Sequence, residues 1–168
     1  VRVLTRLMKK ATEIAGKAGT QLRDRTRSVQ RRLIEIGRAS RSKGKGGMEK
    51  MKAVYRKLVE TTSRVVGQAK KFSVEIAHGV RSAAEVLDQA KLEGIGRELH
   101  SFLTRVQQVI RQTKARLFDG NTQAEDKLVS LFEPQTEIIR KGKASKPTEF
   151  GKLVKIQEAE NQVVIAYE

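Results

Sequence analysis

The first forty residues carry an apolar residue, or one threonine, at nearly every third or fourth position. The positions are Leu4, Leu7, Ala11, Ile14 and Ala18, followed by Leu22, Thr26, Val29, Leu33 and Ile36. This spacing puts them on one face of a helix. The four-residue step from Ala18 to Leu22 interrupts the alternation, and Gly16 and Gly19, each costing a helix about 1 kcal/mol relative to alanine, lie at the same place. The pattern predicts one bent helix over residues 2–39, with two shorter helices as the alternative.

A second helical pattern follows a polar, glycine-rich run at residues 40–47, which predicts a chain reversal. Its positions are Met51, Tyr55, Leu58, Thr62, Val65, Ala69, Phe72, Ile76, Val80, Ala83, Leu87 and Ala90. Gly94 and Gly96 then predict an interruption. A third pattern comprises Leu99, Leu103, Val106, Ile110, Thr113 and Leu117. Long helices joined by short turns favour an antiparallel hairpin.

The last fifty residues have a different character. Asp119-Gly120-Asn121 is typical of a turn that ends a helix. Residues 127–132 are predicted to form a short strand, and 150–156 and 162–167 to form paired strands connected through 158–161. The expected fold class is therefore mainly α with a small β part. A long antiparallel helical hairpin or three-helix arm over 1–118 precedes a short strand and a C-terminal β-hairpin within 119–168.

Charge separates the same two parts of the chain. Residues 1–46 hold 14 Lys and Arg against 3 acids, residues 47–118 hold 14 against 7, and residues 119–168 hold 7 against 9. A basic surface of this size favours polyanionic partners, with nucleic acid the first candidate and an anionic membrane the second. No apolar run approaches the ~20 residues of a spanning helix, so we expect no membrane partner.

Arginines off the apolar face of the first helical segment are the strongest candidate binding residues, because too few acids lie nearby to neutralise them through helical ion pairs. Phosphate contact is favoured over base reading, since a long basic helix supplies charge without a defined reading head. A basic cluster around Gly142 is a second candidate. The candidate DNA-binding residues are Arg23, Arg25, Arg27, Arg31, Arg32, Arg38, Arg41, Lys43, Lys45, Arg140, Lys141 and Lys143.

Signs of catalytic chemistry are scarce. The chain has no cysteine, which excludes a disulfide framework, leaves no cysteine-based zinc spacing and fits a reducing cytosol. His78 and His100, the two histidines of the chain, lie 22 residues apart, and a structural or surface role is favoured for each. The glycines of the 40–47 run lack the strand and the Lys-Ser/Thr pair of a phosphate-binding loop. Five acids of the tail have the spacing of ordinary loop acids: Asp119, Asp126, Glu133, Glu137 and Glu149. We therefore assign no catalytic and no metal-binding residue.

The tail carries a specific sequence string. It reads Ser-Leu-Phe-Glu-Pro at 130–134, Thr-Glu at 136–137, Arg-Lys-Gly-Lys at 140–143, Pro147, and Glu-Phe-Gly at 149–151. This string resembles a segment of bacterial insertion-sequence transposases of the DDE type, most like the ISNCY group. Residues 1–8, 21–25 and 105–109 resemble the same proteins more weakly, so the similarity covers the whole chain.

The resemblance implies an RNase H-like core in which two Asp and one Glu bind two divalent metal ions, Mg²⁺ or Mn²⁺. It places all three acids outside residues 1–168. The chain would then be an internal segment: a DNA-binding helical insertion (1–118) plus part of the core (119–168), inactive alone and holding no cofactor. Implied partners are transposon-end or target DNA and, in the full-length protein, a second copy, in the bacterial cytoplasm near the nucleoid.

An alternative from another class is a non-catalytic basic coiled-coil protein that binds nucleic acid or acts as an adaptor. It explains the apolar patterns and the charge, but not the proline-bracketed tail. Because the chain begins within a helical pattern and ends within an apparent strand, we expect it to be a piece of a longer protein.

Overall fold

The computed structural model describes residues 1–15, 21–41, 46–82, 85–123, 127–140, 148–152, 156–159 and 163–167; for 80–82, 156–159 and 163–167 it describes the backbone alone. Its helices are α1 (Arg2–Ala15), α2 (Thr26–Ser40), α3 (Gly47–Ser82) and α4 (Val86–Leu117). Its strands are β1 (Glu137–Arg140), β2 (Thr148–Gly151), β3 (Ile156–Ala159) and β4 (Val163–Tyr167). The prediction of a mainly helical chain with a small β part is confirmed.

The chain divides into two compact units, Val1–Glu125 and Asp126–Glu168. The helices belong to the first unit and the strands to the second. In the second unit β1 pairs with β2 and β3 pairs with β4, both antiparallel. These pairs form separate two-stranded sheets, and the ladder of the second is irregular between Gln157 and Glu158.

The largest element of the first unit is an antiparallel hairpin of α3 and α4. Three contacts fix its register along the length of both helices. A Cβ placed on Gly79 would lie 3.6 Å from Leu92 Cδ1, and one placed on Gly96 would lie 3.4 Å from Ile76 Cγ2. At the other end Arg56 lies over the ring of Phe118. At 1.5 Å per residue, the 36 residues of α3 extend about 54 Å.

The core of the first unit lies where α1 packs against both members of this hairpin. The buried apolar side chains of the described residues come from three helices: Leu4, Leu7, Met8 and Ala11 of α1; Val59, Val65, Val66, Ala69, Phe72 and Ile76 of α3; and Leu92, Leu99, Phe102, Leu103 and Val106 of α4. Helix α2 contributes no fully buried side chain and packs against α3. It lies on the bundle as an outer layer.

The structure corrects the prediction of one bent helix over 2–39. Residues 21–25 are not helical, and α1 and α2 are separate helices, as in the alternative. Gly16, Gly19 and Ala18 lie outside the described residues. Helix α2 has Arg25 as its N-cap residue, and Asp24 Oδ1, one residue earlier, accepts the backbone N–H of Thr26 at 2.8 Å. An acid in this position satisfies an otherwise unpaired donor at a helix start.

The predicted break at Gly94 and Gly96 is also wrong. Helix α3 ends at Ser82 and α4 begins at Val86, so both glycines lie inside α4. The helix continues because Leu92 and Leu99, on either side of them, are fully buried, and packing of this kind exceeds the roughly 1 kcal/mol helix cost of each glycine. Leu87, predicted as part of an apolar face, is 63% exposed at the start of α4.

Two strand predictions are wrong in detail. Residues 127–132 form no strand; there Ser130 Oγ accepts the N–H of Glu133 at 3.1 Å, which belongs to a local turn. The predicted strand 150–156 is divided between β2 and β3, and β2 pairs with β1 instead of the last strand. The predicted connection at 158–161 is shortened because β3 continues to Ala159, and residues 160–161 lie outside the described part of the chain.

Candidate nucleic-acid interface

Arg27, Arg31 and Arg38 form a line along the outer face of α2. Residues separated by four, seven and eleven positions lie on one side of a helix, and from Arg27 to Arg38 the line extends about 16 Å. All three side chains are exposed. None of them forms an ion pair with an acid of the described residues. Their charge is therefore available to a polyanion.

The other candidate arginines of this segment differ from one another. Arg32 is half-buried, and its Nη1 donates to both carboxylate oxygens of Glu35, at 2.9 and 2.7 Å. That guanidinium is already bound to an acid of its own helix. Arg41 is exposed just after the end of α2. Lys43, Lys45, Lys141 and Lys143 lie outside the described residues.

A basic groove lies between residues 21–25 and one face of α3. Its volume is about 600 Å³, and its lining residues are Gln21, Leu22, Arg23, Arg25, Arg64, Gly67, Gln68 and Lys71. Four of the eight are cationic and none is acidic. Arg64 forms an ion pair with Glu60, one turn earlier on α3. The other three cations have no acid partner in the part of the chain that is described.

The loop side of this groove is held in place by polar contacts to three helices. Gln68 Nε2 of α3 donates to the backbone carbonyl of Gln21 at 2.8 Å. Lys9 Nζ of α1 donates to Asp24 Oδ2 at 3.0 Å, while Asp24 Oδ1 accepts the N–H of Thr26 in α2. Hydrogen bonds from Thr26, and then the bond from Lys9, lower the pKa of Asp24 to about 2. Asp24 is thus a carboxylate with its own partners, and it does not line the groove.

Arg64 and Lys71 were missed by the sequence analysis. They lie about forty residues after Arg23 and Arg25 in the chain, and the fold brings the two pairs to one groove. Arg64 and Lys71 are seven residues apart, which places both on the same side of α3. That spacing was readable in the sequence, but which neighbour this side of α3 would face was not.

Arg140, the remaining described candidate, belongs to the second unit. It ends β1 opposite Thr148 and is exposed. On the same face of this hairpin, Ile138 is paired with Phe150, and the two are 46% and 64% exposed. A hollow of about 360 Å³ lies beside the hairpin, lined by Phe132, Glu133, Pro134, Gln135, Thr136, Gly151 and Lys152. Lys152 Nζ donates to Gln135 Oε1 across it at 2.8 Å.

The described ranges contain no group of three or more His, Asp or Glu side chains arranged to hold a metal ion. Of the helices in those ranges, none combines the length and apolar character needed to cross a membrane. Comparison of the chain with protein-family models, with curated proteins and with solved structures finds no match.

Proposed function

We propose that the helical unit binds the phosphate backbone of nucleic acid. The observation that carries this proposal is the exposed line of Arg27, Arg31 and Arg38, whose three guanidinium groups have no acid partner among the described residues. Self-repulsion along such a line is relieved when phosphates share the surface. The basic groove adds Arg23, Arg25 and Lys71 at the start of the same helix and on its neighbour α3.

The exposed apolar side chains of the helical unit favour contact with the nucleic-acid backbone over recognition of bases. In the described part of the helical unit, the large apolar side chains that are exposed are aliphatic or methionine: Leu33, Ile34, Met48, Val74, Val86 and Leu87. Proteins that bind unpaired bases by stacking typically present exposed aromatic rings to them. Guanidinium and ammonium groups without such rings bind phosphates of either strand irrespective of sequence.

The test compares two triple variants that lose the same charge. Neutralising the line (Arg27, Arg31 and Arg38 to Gln) removes up to three phosphate contacts, so the slope of log affinity for duplex DNA against log salt falls by up to about 2.7. The control neutralises Arg97, Arg111 and Arg116 of α4, all exposed, and keeps most of the wild-type slope. Equal effects of the two triples, or no effect of the first, would contradict the proposal.

We further propose that the chain is an internal segment of a DDE-type transposase, with the helical unit as its DNA-binding insertion and β1–β4 as part of an RNase H-like core. The support is the resemblance of residues 130–152, the region in which β1 and β2 lie. The metal-binding acids of that family have no equivalent within 1–168 under this proposal, and no described cluster of acids fits a metal ion. No reaction step is therefore assigned to these residues.

This second proposal predicts that the 168-residue chain alone neither nicks nor joins DNA in Mg²⁺ or Mn²⁺. Cleavage of a supercoiled plasmid, abolished by a chelator, would contradict it. An open reading frame that continues on both sides into strands bearing Asp residues would support it. A frame with true start and stop signals at these boundaries would favour the alternative.

The alternative is a non-catalytic basic helical adaptor, and one observation favours it. Leu33 and Ile34 of α2 are 55% and 51% exposed, although α2 packs against α3. An uncovered aliphatic pair on an outer helix is a common place for a second helix to pack. Sedimentation of wild-type chain and of Ile34→Gln without DNA tests this. Self-association that the substitution abolishes would support an adaptor, whereas monomers in both cases would not.

A further inference from the structure

We propose that the basic groove is a preformed binding site for the phosphodiester backbone of one nucleic-acid strand. Gly67 forms the floor of this site, and Asp24 and Gln68 are positioning residues. The inference rests on the proposed nucleic-acid binding and assigns it a place. To the cations already named it adds Arg64, whose guanidinium also pairs with Glu60, as a phosphate contact, and Gly67 as the residue beneath the strand.

The α3 side of the groove has the shape that a strand requires. Arg64, Gly67 and Lys71 are separated by three and four residues, so they follow one another on a single face. The seven residues from Arg64 to Lys71 span about 10 Å, close to the advance of three nucleotides along one strand of B-form DNA. Between the two cations, a Cβ placed on Gly67 would meet nothing within 4 Å. A sugar-phosphate chain can therefore reach the helix backbone there.

The opposite side of the groove is formed by the segment 23–25, whose side chains do not all point into the groove. Arg23 and Arg25 line the groove, whereas Asp24, between them, is bound to Lys9 and to Thr26 and does not line it. The acid is directed away from the place where phosphates would lie. The two arginines consequently face Arg64 and Lys71 without a carboxylate between them.

The segment is fixed from both ends. Gln68 holds the carbonyl of Gln21 at the beginning, and Asp24 connects α1 and α2 near the end. Residues 21–25 have no regular secondary structure of their own, so these side-chain bonds supply much of their order. Ordering a loop before binding lowers the conformational cost of the complex.

The location is tested by a matched pair of glycine substitutions. Gly67→Glu and Gly94→Glu each place an acid on an open helix surface, since neither Cβ would meet an atom within 4 Å, and both replace glycine by a better helix former. Binding of a short DNA duplex is measured by fluorescence anisotropy. Gly67→Glu is expected to weaken binding about tenfold, and Gly94→Glu less than about threefold. Equal losses would overturn the location.

The positioning role of Asp24 is tested by the substitution Asp24→Asn. A charge effect and a positioning effect predict opposite changes in DNA affinity for this variant. Asp24→Asn raises the net charge by one, so charge alone predicts tighter DNA binding. Asparagine retains an acceptor for Thr26 but loses the ion pair with Lys9; a positioning role therefore predicts weaker binding, by about three- to tenfold. Lys9→Gln, which breaks the same pair from the other side, is expected to weaken binding as well. Asp88→Asn, which removes an acid paired with Lys91 on α4, is the control and should bind at least as tightly as wild type.

The outcomes separate the two proposals. A wild-type chain that does not bind duplex DNA overturns the proposed function and this inference together. If the wild-type chain binds duplex DNA and the Gly67→Glu and Gly94→Glu variants lose the same affinity, only the location of the binding site is overturned. If Asp24→Asn binds as tightly as Asp88→Asn, Asp24 is not a positioning residue. Circular dichroism of each variant shows whether helix content is retained, and Gln68→Leu, expected to weaken binding about threefold or more, tests the same loop independently.

Discussion

The guanidinium carbon of Arg56 lies 5.2 Å from the centroid of the Phe118 ring. This contact joins the first half of α3 to the residue that follows α4. Among the described side chains, α3 has no buried apolar one before Val59 and α4 has none after Val106. This end of the hairpin is therefore held by half-buried side chains and by contacts such as this one, while the fully buried core lies nearer the other end.

Replacing Arg56 by methionine keeps most of the aliphatic length and removes the cation. We expect the free energy of unfolding to fall by about 0.5–1 kcal/mol, the usual size of an exposed cation–π contact. Urea denaturation of the full chain measures it. Lys57→Met, at the exposed neighbouring position, is the control, and an equal effect there would attribute the loss to charge and not to the ring.

Leu99 has no exposed surface and belongs to α4, which packs against α1 and α3. Leu99→Ala removes buried methyl groups and leaves a cavity, so the free energy of unfolding should fall by about 2–5 kcal/mol. Chemical denaturation followed by circular dichroism checks this. Leu33→Ala, at a leucine of α2 that is 55% exposed, should cost less than about 1 kcal/mol. Comparable losses at the two positions would contradict the assignment of the core.

Two glycines are expected to respond to alanine with opposite signs. Gly94 lies inside α4 with open space around it, so Gly94→Ala should stabilise the chain by up to about 1 kcal/mol. Gly120 follows α4 with φ of +68°, where the N–H of Asn121 donates to the carbonyl of Ala115 at 2.9 Å. Gly120→Ala should destabilise by about 1 kcal/mol because a Cβ is disfavoured at that φ. Thermal unfolding of both variants measures the difference, and a shared sign would contradict this reading of the α4 terminus.

Asp24 gives the stability a dependence on acid pH. Its pKa is lowered in the folded chain from 3.8 to about 2, so the ionised form stabilises the fold. This contribution is fully present above about pH 4 and is lost as the pH falls through about 2. For such an exposed pair it should be less than about 1 kcal/mol. The Tm difference between wild type and Asp24→Asn should shrink over that window, and a difference independent of pH would contradict the assigned cause.

The sequence predicted the apolar faces better than the places where helices end. The sequence assigned four residues to the core that are buried there: Leu4, Leu7, Phe72 and Leu99. Apolar residues at helical spacing mark the face of a helix that packs against its neighbours. The break between α3 and α4 was misplaced because Gly94 and Gly96 look like interruptions in a local reading. In the fold, Gly96 has a packing role: it lies against Ile76 of α3, and a Cβ there would be 3.4 Å from Ile76 Cγ2, in van der Waals contact. That role depends on a partner about twenty residues earlier in the chain.

The tail shows the same limit for strands. Leu128, Val129, Leu131 and Phe132 have the composition of a strand, but residues 127–132 do not belong to any of the four strands of the described part of the chain. Strand preference depends on neighbours more than helix preference does. For the candidate interface, the sequence supplied Arg23 and Arg25 from local charge, while Arg64 and Lys71 required knowledge of which helix faces residues 21–25.

The open surface above Gly67 also has a practical consequence. The chain contains no cysteine, so Gly67→Cys would give it a single thiol, located between Arg64 and Lys71 on one face of α3. Nearby cations lower the pKa of a thiol and favour its reactive thiolate. A small environment-sensitive fluorophore attached there would report directly on whatever enters the groove, and its rate of attachment would show how accessible the floor is before any ligand is added.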